Sequence, residues 1–159
     1  MRAKRGFTLI EILVVVIIMG ITVGFALLAF GDFGASRRAT LAAEQFSSFI
    51  KLAQEQAIIE GSTLGIDINN SGYSSYRFVQ GRWQQISGSN VFRSHNFPDN
   101  VTANLRLGIR KSNSKDPSII ISASGDVSSF VIDFGTNRNS VVTSLSNRDG
   151  QLKLQQPKN

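Results

Sequence analysis

The hydrophobic and polar positions divide the chain into an apolar run, an amphipathic segment and a series of short alternating runs. The apolar run extends from Phe7 to Phe30, and Glu11 is its only ionisable side chain. As a helix its 24 residues span roughly 36 Å, which exceeds the hydrocarbon thickness of about 30 Å. A membrane-spanning helix is therefore predicted over residues 7–30.

The amphipathic segment continues this helix to about residue 60. Its apolar positions recur at helical spacing from Arg37 onward: Ala42, Phe46, Phe49, Ile50, Ala53, Ala57 and Ile58. Gly31, Asp32 and Gly34 are expected to weaken the middle of the helix, and Gly61 to cap its end. The half over residues 31–60 thus presents an apolar stripe that another layer must cover.

Residues 61–159 alternate in short runs that are typical of β-strands. The predicted strands are Thr63–Ile68, Tyr73–Val79, Arg82–Ile86, Val101–Ile109, Ser118–Ser122, Ser129–Phe134, Ser140–Leu145 and Gln151–Leu154. Tight turns are predicted at residues 69–72 and 80–81, and exposed loops at 87–100 and 111–117. One face of an antiparallel sheet would cover the helix stripe, which gives an α+β fold.

Charge predicts the orientation of the chain in the membrane. Residues 1–6 carry three cationic side chains and no acidic one, and such an excess keeps a short flank in the cytoplasm. The β-rich part would then lie outside the cytoplasm. Without these three cations the formal net charge falls from +6 to +3, so the remainder is only mildly basic. A secretory signal peptide would have a shorter apolar region followed by a small-x-small cleavage site. The apolar run of this chain is longer and no clear Ala-x-Ala closes it, so this alternative is disfavoured.

Glu11 does not fit a plain membrane anchor. A carboxylate costs up to about 3 kcal/mol at mid-bilayer, and such residues usually have a partner. Its position one turn into the helix therefore predicts a cation near the helix start.

The N-terminal motif carries a family resemblance. A short basic leader ending in Gly6, then Phe7, and a glutamate four positions later resembles the class III signal of type IV pilins and type II secretion pseudopilins. The resemblance implies that a prepilin peptidase cleaves between Gly6 and Phe7 and methylates the new amino group of Phe7. It also implies that Glu11 pairs with the amino terminus of a neighbouring subunit, which is the cation that the helix requires.

Three later stretches sharpen the resemblance to the H class of minor pseudopilins, the GspH/FimT family. They are residues 52–61, residues 122–125 with the hydrophobic run 130–134, and residues 149–153. The resemblance implies a single-pass inner-membrane protein with a periplasmic C-terminal domain, placed near the tip of a type II secretion pseudopilus. Its implied partners are the other minor pseudopilins, the major pseudopilin, the prepilin peptidase and the inner-membrane assembly platform.

The alternative within the superfamily is a minor type IV pilin of the FimT/FimU kind, which acts in pilus assembly or DNA uptake. DNA contacts would then come from basic side chains, with Trp83 offering a stacking ring. The candidate cations are Arg106, Arg110, Lys111, Lys115, Arg77 and Arg82. DNA-binding members tend to carry arginines after the final glycine-containing turn, and residues 150–154 contain none, which disfavours nucleic acid.

The sequence favours no enzyme, cofactor or metal site. Cysteine is absent, and His95 is the only histidine, so it is interpreted as a surface residue of a Ser/Asn-rich loop. No phosphate-binding loop or zinc spacing occurs. Residues 67–72 begin like a calcium loop, but the twelfth position is Phe78 where a glutamate is required, so a hairpin turn is preferred.

Overall fold

The computed structural model describes residues 8–87, 91–107, 116–137 and 140–156. The chain divides into two compact units, Met1–Gly34 and Ala35–Asn159. A single helix, α1 (Leu9–Glu60), contributes residues to both units. Its helical assignment continues through Gly31, Asp32 and Gly34, where the composition predicts a weaker middle.

In the first unit, the described side chains of α1 from Leu9 to Leu27 are mostly apolar and are exposed. The stretch Leu9–Leu27 is long and apolar enough to cross a membrane by length and composition. None of its residues is buried within the protein. A helix that is hydrophobic all round needs an apolar environment, and a bilayer or a bundle of similar helices supplies one.

The end of α1 is closed by a Schellman motif, as predicted from Gly61. Gly61 adopts a left-handed conformation with φ of 58°, which glycine tolerates without a steric penalty. Its N–H donates to the carbonyl of Ile58 at 3.2 Å, and the N–H of Ser62 donates to the carbonyl of Ala57 at 3.1 Å. These two bonds satisfy helix carbonyls and turn the chain into the first strand.

Nine antiparallel strands form two sheets in the described part of the second unit. The strands are β1 (Leu64–Asn69), β2 (Gly72–Val79), β3 (Arg82–Gln85), β4 (His95–Asn96), β5 (Thr102–Leu107), β6 (Ile119–Ile121), β7 (Phe130–Asn137), β8 (Ser140–Arg148) and β9 (Gln151–Gln155). The first sheet has the order β3-β2-β1-β6, with β4 also paired to β2, and the second has the order β5-β7-β8-β9.

The prediction of one sheet was therefore wrong in strand pairing, although the α+β class was correct. Both edges of β1 are occupied, one by β2 and the other by β6. The long strand β7 consequently pairs with β5 and β8, which builds a second sheet. Alternation along the chain identifies strands, but it does not indicate which strands share hydrogen bonds.

The helix stripe and both sheets enclose one hydrophobic core. The predicted stripe is buried except at its end, because Ile58 is 56% exposed. The sheets contribute an inner row of apolar side chains: Leu64, Ile66, Ile119, Ile121, Phe130, Ile132, Phe134 and Leu145. The second unit thus has its own core, built from α1 and the two sheets.

The segment predicted as an exposed loop at 87–100 is partly ordered against this core. Phe92 is only 9% exposed, and His95 lies in β4. The imidazole of His95 stacks on Tyr73 with a centroid distance of 5.3 Å, and its Nε2 lies 3.0 Å from the carbonyl oxygen of Val91. The prediction of an exposed loop was therefore wrong for His95, which lies in a strand and contacts Tyr73 on β2, although its side chain remains partly exposed.

Tyr73 makes the stability of this unit sensitive to alkaline pH. Burial raises the pKa of Tyr73 from 10.0 to about 12, because the apolar surroundings disfavour the phenolate. Burial of the neutral phenol of Tyr73 therefore stabilises the folded state. This stabilisation is fully present below pH 10 and is lost as the pH rises through about 12. We expect the free energy of unfolding to fall more steeply over this range in the wild type than in Tyr73→Phe, as measured by urea denaturation. Equal slopes for the two proteins would contradict the assignment.

Candidate functional site

The N-terminus of α1 is organised by Thr8 and Glu11. The N–H of Glu11 donates to the side-chain Oγ1 of Thr8 at 3.3 Å and to its carbonyl oxygen at 3.1 Å. Thr8 is thus the N-cap and Glu11 the third helical residue, which is the spacing of a capping box. Sequence reasoning overlooked this pattern, although Thr-x-x-Glu before an apolar run is a recognisable signal.

The position of Glu11 at the start of the helix is electrostatically favourable even though no ion pair neutralises its carboxylate in the described part of the chain. A carboxylate in the first helical turn interacts favourably with the positive end of the helix dipole. Among the residues that the structure describes, no cation forms an ion pair with Glu11. The helix start therefore fixes where the negative charge lies and leaves it available for a cation from another chain.

The apolar stretch Leu9–Leu27 offers an exposed surface for packing. Gly20 and Gly24 lie four residues apart, and a Cβ added to either would meet no atom within 4 Å. Small residues at this spacing allow close approach of two helices in a membrane.

Several predicted site residues lie outside the described residues. They are the processing residues Gly6 and Phe7 and the candidate DNA contacts Arg110, Lys111 and Lys115. Their proposed roles rest on the sequence alone.

The described basic candidates are divided between the two sheets, with Arg106 on one and Arg77 and Arg82 on the other. Arg106 on β5 forms an ion pair with Asp133, a carboxylate in the second sheet that also accepts a 2.5 Å hydrogen bond from Ser144 Oγ. Arg77 on β2 of the first sheet forms an ion pair with Glu60 at the end of α1, with 2.6 Å between Arg77 Nη2 and Glu60 Oε2. Arg106 and Arg77 thus lie on different sheets and each has an acidic partner, whereas Arg82 on β3 is exposed and forms no ion pair with a described residue.

Local hydrogen bonds hold Glu60 in its charged form. A hydrogen bond from the side chain of Gln56, with further contributions from Ser62 and Arg77, lowers the pKa of Glu60, while partial burial opposes this shift. Glu60 thus ties the end of α1 to β2 through Arg77.

Trp83, the predicted stacking ring, is engaged within its own sheet. Its ring lies 4.9 Å from that of Phe78, and a Cβ at Gly65 would lie 2.8 Å from it. Trp83 therefore covers a glycine in β1 and is half-buried.

The calcium-like segment is a hairpin turn, as predicted. Asn69 Oδ1 accepts hydrogen bonds of 2.9 Å from the N–H groups of Ser71 and Gly72. Asp67 Oδ1 accepts a 2.5 Å hydrogen bond from Ser118 Oγ. In the described ranges, no group of three histidine, cysteine or acidic residues is placed to hold a metal ion.

Two family models match this chain. The prokaryotic N-terminal methylation motif covers residues 1–27, and the model described as Type II transport protein GspH covers residues 42–151. The chain belongs to the GspH family. The resemblance predicted from the N-terminal motif and the later stretches is confirmed at the level of this family.

Curated relatives agree with the family. The type II secretion system protein H of Pseudomonas aeruginosa is 27% identical over 145 residues, which cover 82% of each chain. The protein of the same description from Escherichia coli K12 is 28% identical over 137 residues, covering 82% of this chain and 80% of its own. A fimbrial protein of P. aeruginosa is 41% identical, but over only 64 residues and 40% of this chain.

Solved structures show the same pilin-like fold. The minor pseudopilin EpsH of Vibrio cholerae superposes with a TM-score of 0.66 at 17% identity, covering 78% of this chain and 97% of its own. The solution structure of E. coli GspH gives a TM-score of 0.64 at 18% identity, covering 77% and 90%. The predicted fold class, a long N-terminal helix on antiparallel sheet structure, is therefore confirmed.

Proposed function

We propose that this GspH-family chain is a minor pseudopilin that assembles near the tip of a type II secretion pseudopilus and supports protein export across the outer membrane. The family match over residues 42–151 is the observation that carries the proposal. The methylation motif at residues 1–27 and the relatives named as secretion system protein H support it.

The proposed location is the inner membrane, with a single pass through residues 7–30. The leader cations would hold the N-terminus in the cytoplasm, so the second unit would lie in the periplasm. The exposed apolar stretch Leu9–Leu27 supports a membrane anchor.

The proposed assembly mechanism is electrostatic and uses no catalysis by this chain. The prepilin peptidase first cleaves between Gly6 and Phe7, which removes the leader and frees the amino group of Phe7. It then transfers a methyl group from a methyl donor to that amino group. The carboxylate of Glu11 then pairs with that group on a neighbouring subunit as the apolar helices pack. The other minor pseudopilins and the major pseudopilin would supply such neighbours, and the prepilin peptidase and the inner-membrane platform would act before and during assembly.

DNA uptake receives less support than secretion. Of the three described candidate cations, Arg106 and Arg77 already pair with acidic side chains and only Arg82 has no ion pair with a described residue, while Trp83 packs inside its sheet. Complementation of a strain that lacks its own protein H distinguishes a role in secretion from a role in DNA uptake. We expect this chain to restore secretion; restoration of DNA uptake without secretion would overturn the proposal.

Processing at the leader gives a direct prediction. In a host with prepilin peptidase, intact-mass and N-terminal peptide analysis should find a mature chain that begins at N-methylated Phe7. Gly6→Val should leave almost all of the chain uncleaved, because the peptidase site is changed. Ala3→Val, a matched change elsewhere in the leader, should be processed normally. A mature terminus other than Phe7 would contradict the proposed processing.

A further inference from the structure

The outer face of the second sheet carries a polar groove of about 940 Å³. The groove lies within the second unit and is lined by side chains that point away from the core. Those that carry the argument are Arg106, Asp133, Ser146, Arg148, Gln151 and Lys153. The β-register places Ser146 opposite Lys153 and Arg148 opposite Gln151, so these four residues share one face of the β8–β9 hairpin.

The groove has an excess of positive charge. Its carboxylate, Asp133, is 8% exposed and is neutralised by the ion pair with Arg106. Arg148 and Lys153 are exposed, and neither forms an ion pair with any residue in the described part of the chain. Besides the neutralised Arg106–Asp133 pair, the described lining thus holds two unmatched cations among serines, glutamines and two valines, and this excess of positive charge complements an acidic ligand.

An open strand edge runs alongside these cations. β9 pairs with β8 on one side and is the last strand of its sheet, so its other edge has no strand partner among the described residues. Such an edge presents unpaired backbone N–H and C=O groups that accept an extended chain by strand addition. Lys153 on this edge strand discourages pairing with another basic strand and favours an acidic one.

We propose that an extended acidic segment of a partner protein docks on β9 as an additional strand. Its backbone would pair with the free edge of β9, and its carboxylates would contact Arg148 and Lys153. This inference deepens the proposed pseudopilin role and rests on it for the identity of the partner as a protein. The binding site itself is tested without any secretion assay.

The groove fits a peptide better than a nucleic acid. A protein that makes about 6–10 phosphate contacts binds duplex DNA largely through charge, whereas the described lining of this groove offers two unmatched cations. Among the described residues no aromatic side chain lines the groove, so they provide no stacking platform for bases. Backbone pairing along a strand edge, in contrast, provides affinity for an extended peptide irrespective of its detailed sequence.

Fluorescence anisotropy with the full chain in detergent micelles tests the proposal. The probe is a short labelled peptide of alternating valine and glutamate, and the comparison peptides are the valine–lysine counterpart and the acidic peptide with alternate backbone amides methylated. We expect binding of the acidic peptide alone, with Kd rising roughly tenfold in the double variant R148E/K153E. The matched control is Arg82→Glu, an exposed arginine on β3 of the other sheet, and it should leave Kd unchanged.

Each other result overturns the proposal. Equal binding of the methylated peptide would exclude strand addition, and equal binding of the valine–lysine peptide would exclude charge selection. An unchanged Kd in R148E/K153E would exclude this groove. Binding of a labelled DNA duplex more tightly than the acidic peptide, with loss in the same variant, would assign the groove to nucleic acid. Failure of peptide binding together with restored secretion would refute the docking site and leave the pseudopilin role intact.

Discussion

Glu11→Ala is expected to abolish pseudopilus assembly and secretion while the chain still inserts in the membrane. The substitution removes a carboxylate from an apolar helix, so insertion should be no worse. It would, however, leave the amino group of a neighbouring Phe7 without its proposed partner inside a packed helical bundle. Breaking a buried ion pair costs about 3–5 kcal/mol, so the assembled fraction should fall more than about a hundredfold.

Glu11→Gln separates this pairing role from helix capping. Glutamine at the third helical position preserves a capping box with Thr8, since Glu and Gln both serve there, but it carries no charge. We expect Glu11→Gln to fail in secretion and in cross-linking of adjacent subunits as completely as Glu11→Ala. Glu44→Ala, an exposed acidic position on the same helix, should behave as the wild type. Normal secretion by Glu11→Gln would reduce Glu11 to a capping residue and refute the pairing.

Phe46→Ala should destabilise the second unit by about 3–5 kcal/mol, the usual cost of removing a buried phenylalanine ring. Phe46 is fully buried, and its ring lies 4.9 Å from Tyr73 and 6.1 Å from Phe134. It thus joins α1 to β2 in one sheet and to β7 in the other. Because domains have only about 5–15 kcal/mol of net stability, this loss approaches the whole of it.

Urea denaturation of the full chain in mild detergent, followed by Trp83 fluorescence, measures this loss. Leu52→Ala is the matched control, because Leu52 lies on the same helix but is partly exposed, and it should cost less than about 1 kcal/mol. Similar midpoints for the two variants would contradict the central place of Phe46 in the core.

Local patterns predicted much of this molecule correctly. The apolar run, the helix stripe and the cap at Gly61 depend on neighbours within one or two turns, and the structure has all three. The turn at Gln80 and Gly81 is equally local, since both residues adopt positive φ in a two-residue hairpin. Glu11 was recognisable as a special position because charge in an apolar helix is costly whatever surrounds it.

The errors arose where distant residues decide the environment. His95 and Phe92 belong to a polar stretch of sequence, yet Phe92 is buried and His95 is half-buried against aromatic rings of α1 and β2. The ion pair of Arg106 was not predicted, because its partner Asp133 lies 27 positions further along the chain. Neither outcome is encoded in the local alternation of polar and apolar residues.

The sequence by itself was sufficient to identify the long apolar run, the N-terminal motif and the family resemblance, because each depends on contiguous residues and their spacing. Folding alone decided that the strands divide into two sheets, that Arg106 is paired, and that Arg148 and Lys153 lie together beside the open edge of β9. The physical reason is that hydrogen-bond pairing between strands is a long-range choice, and it determines which charges meet and which remain available to a partner.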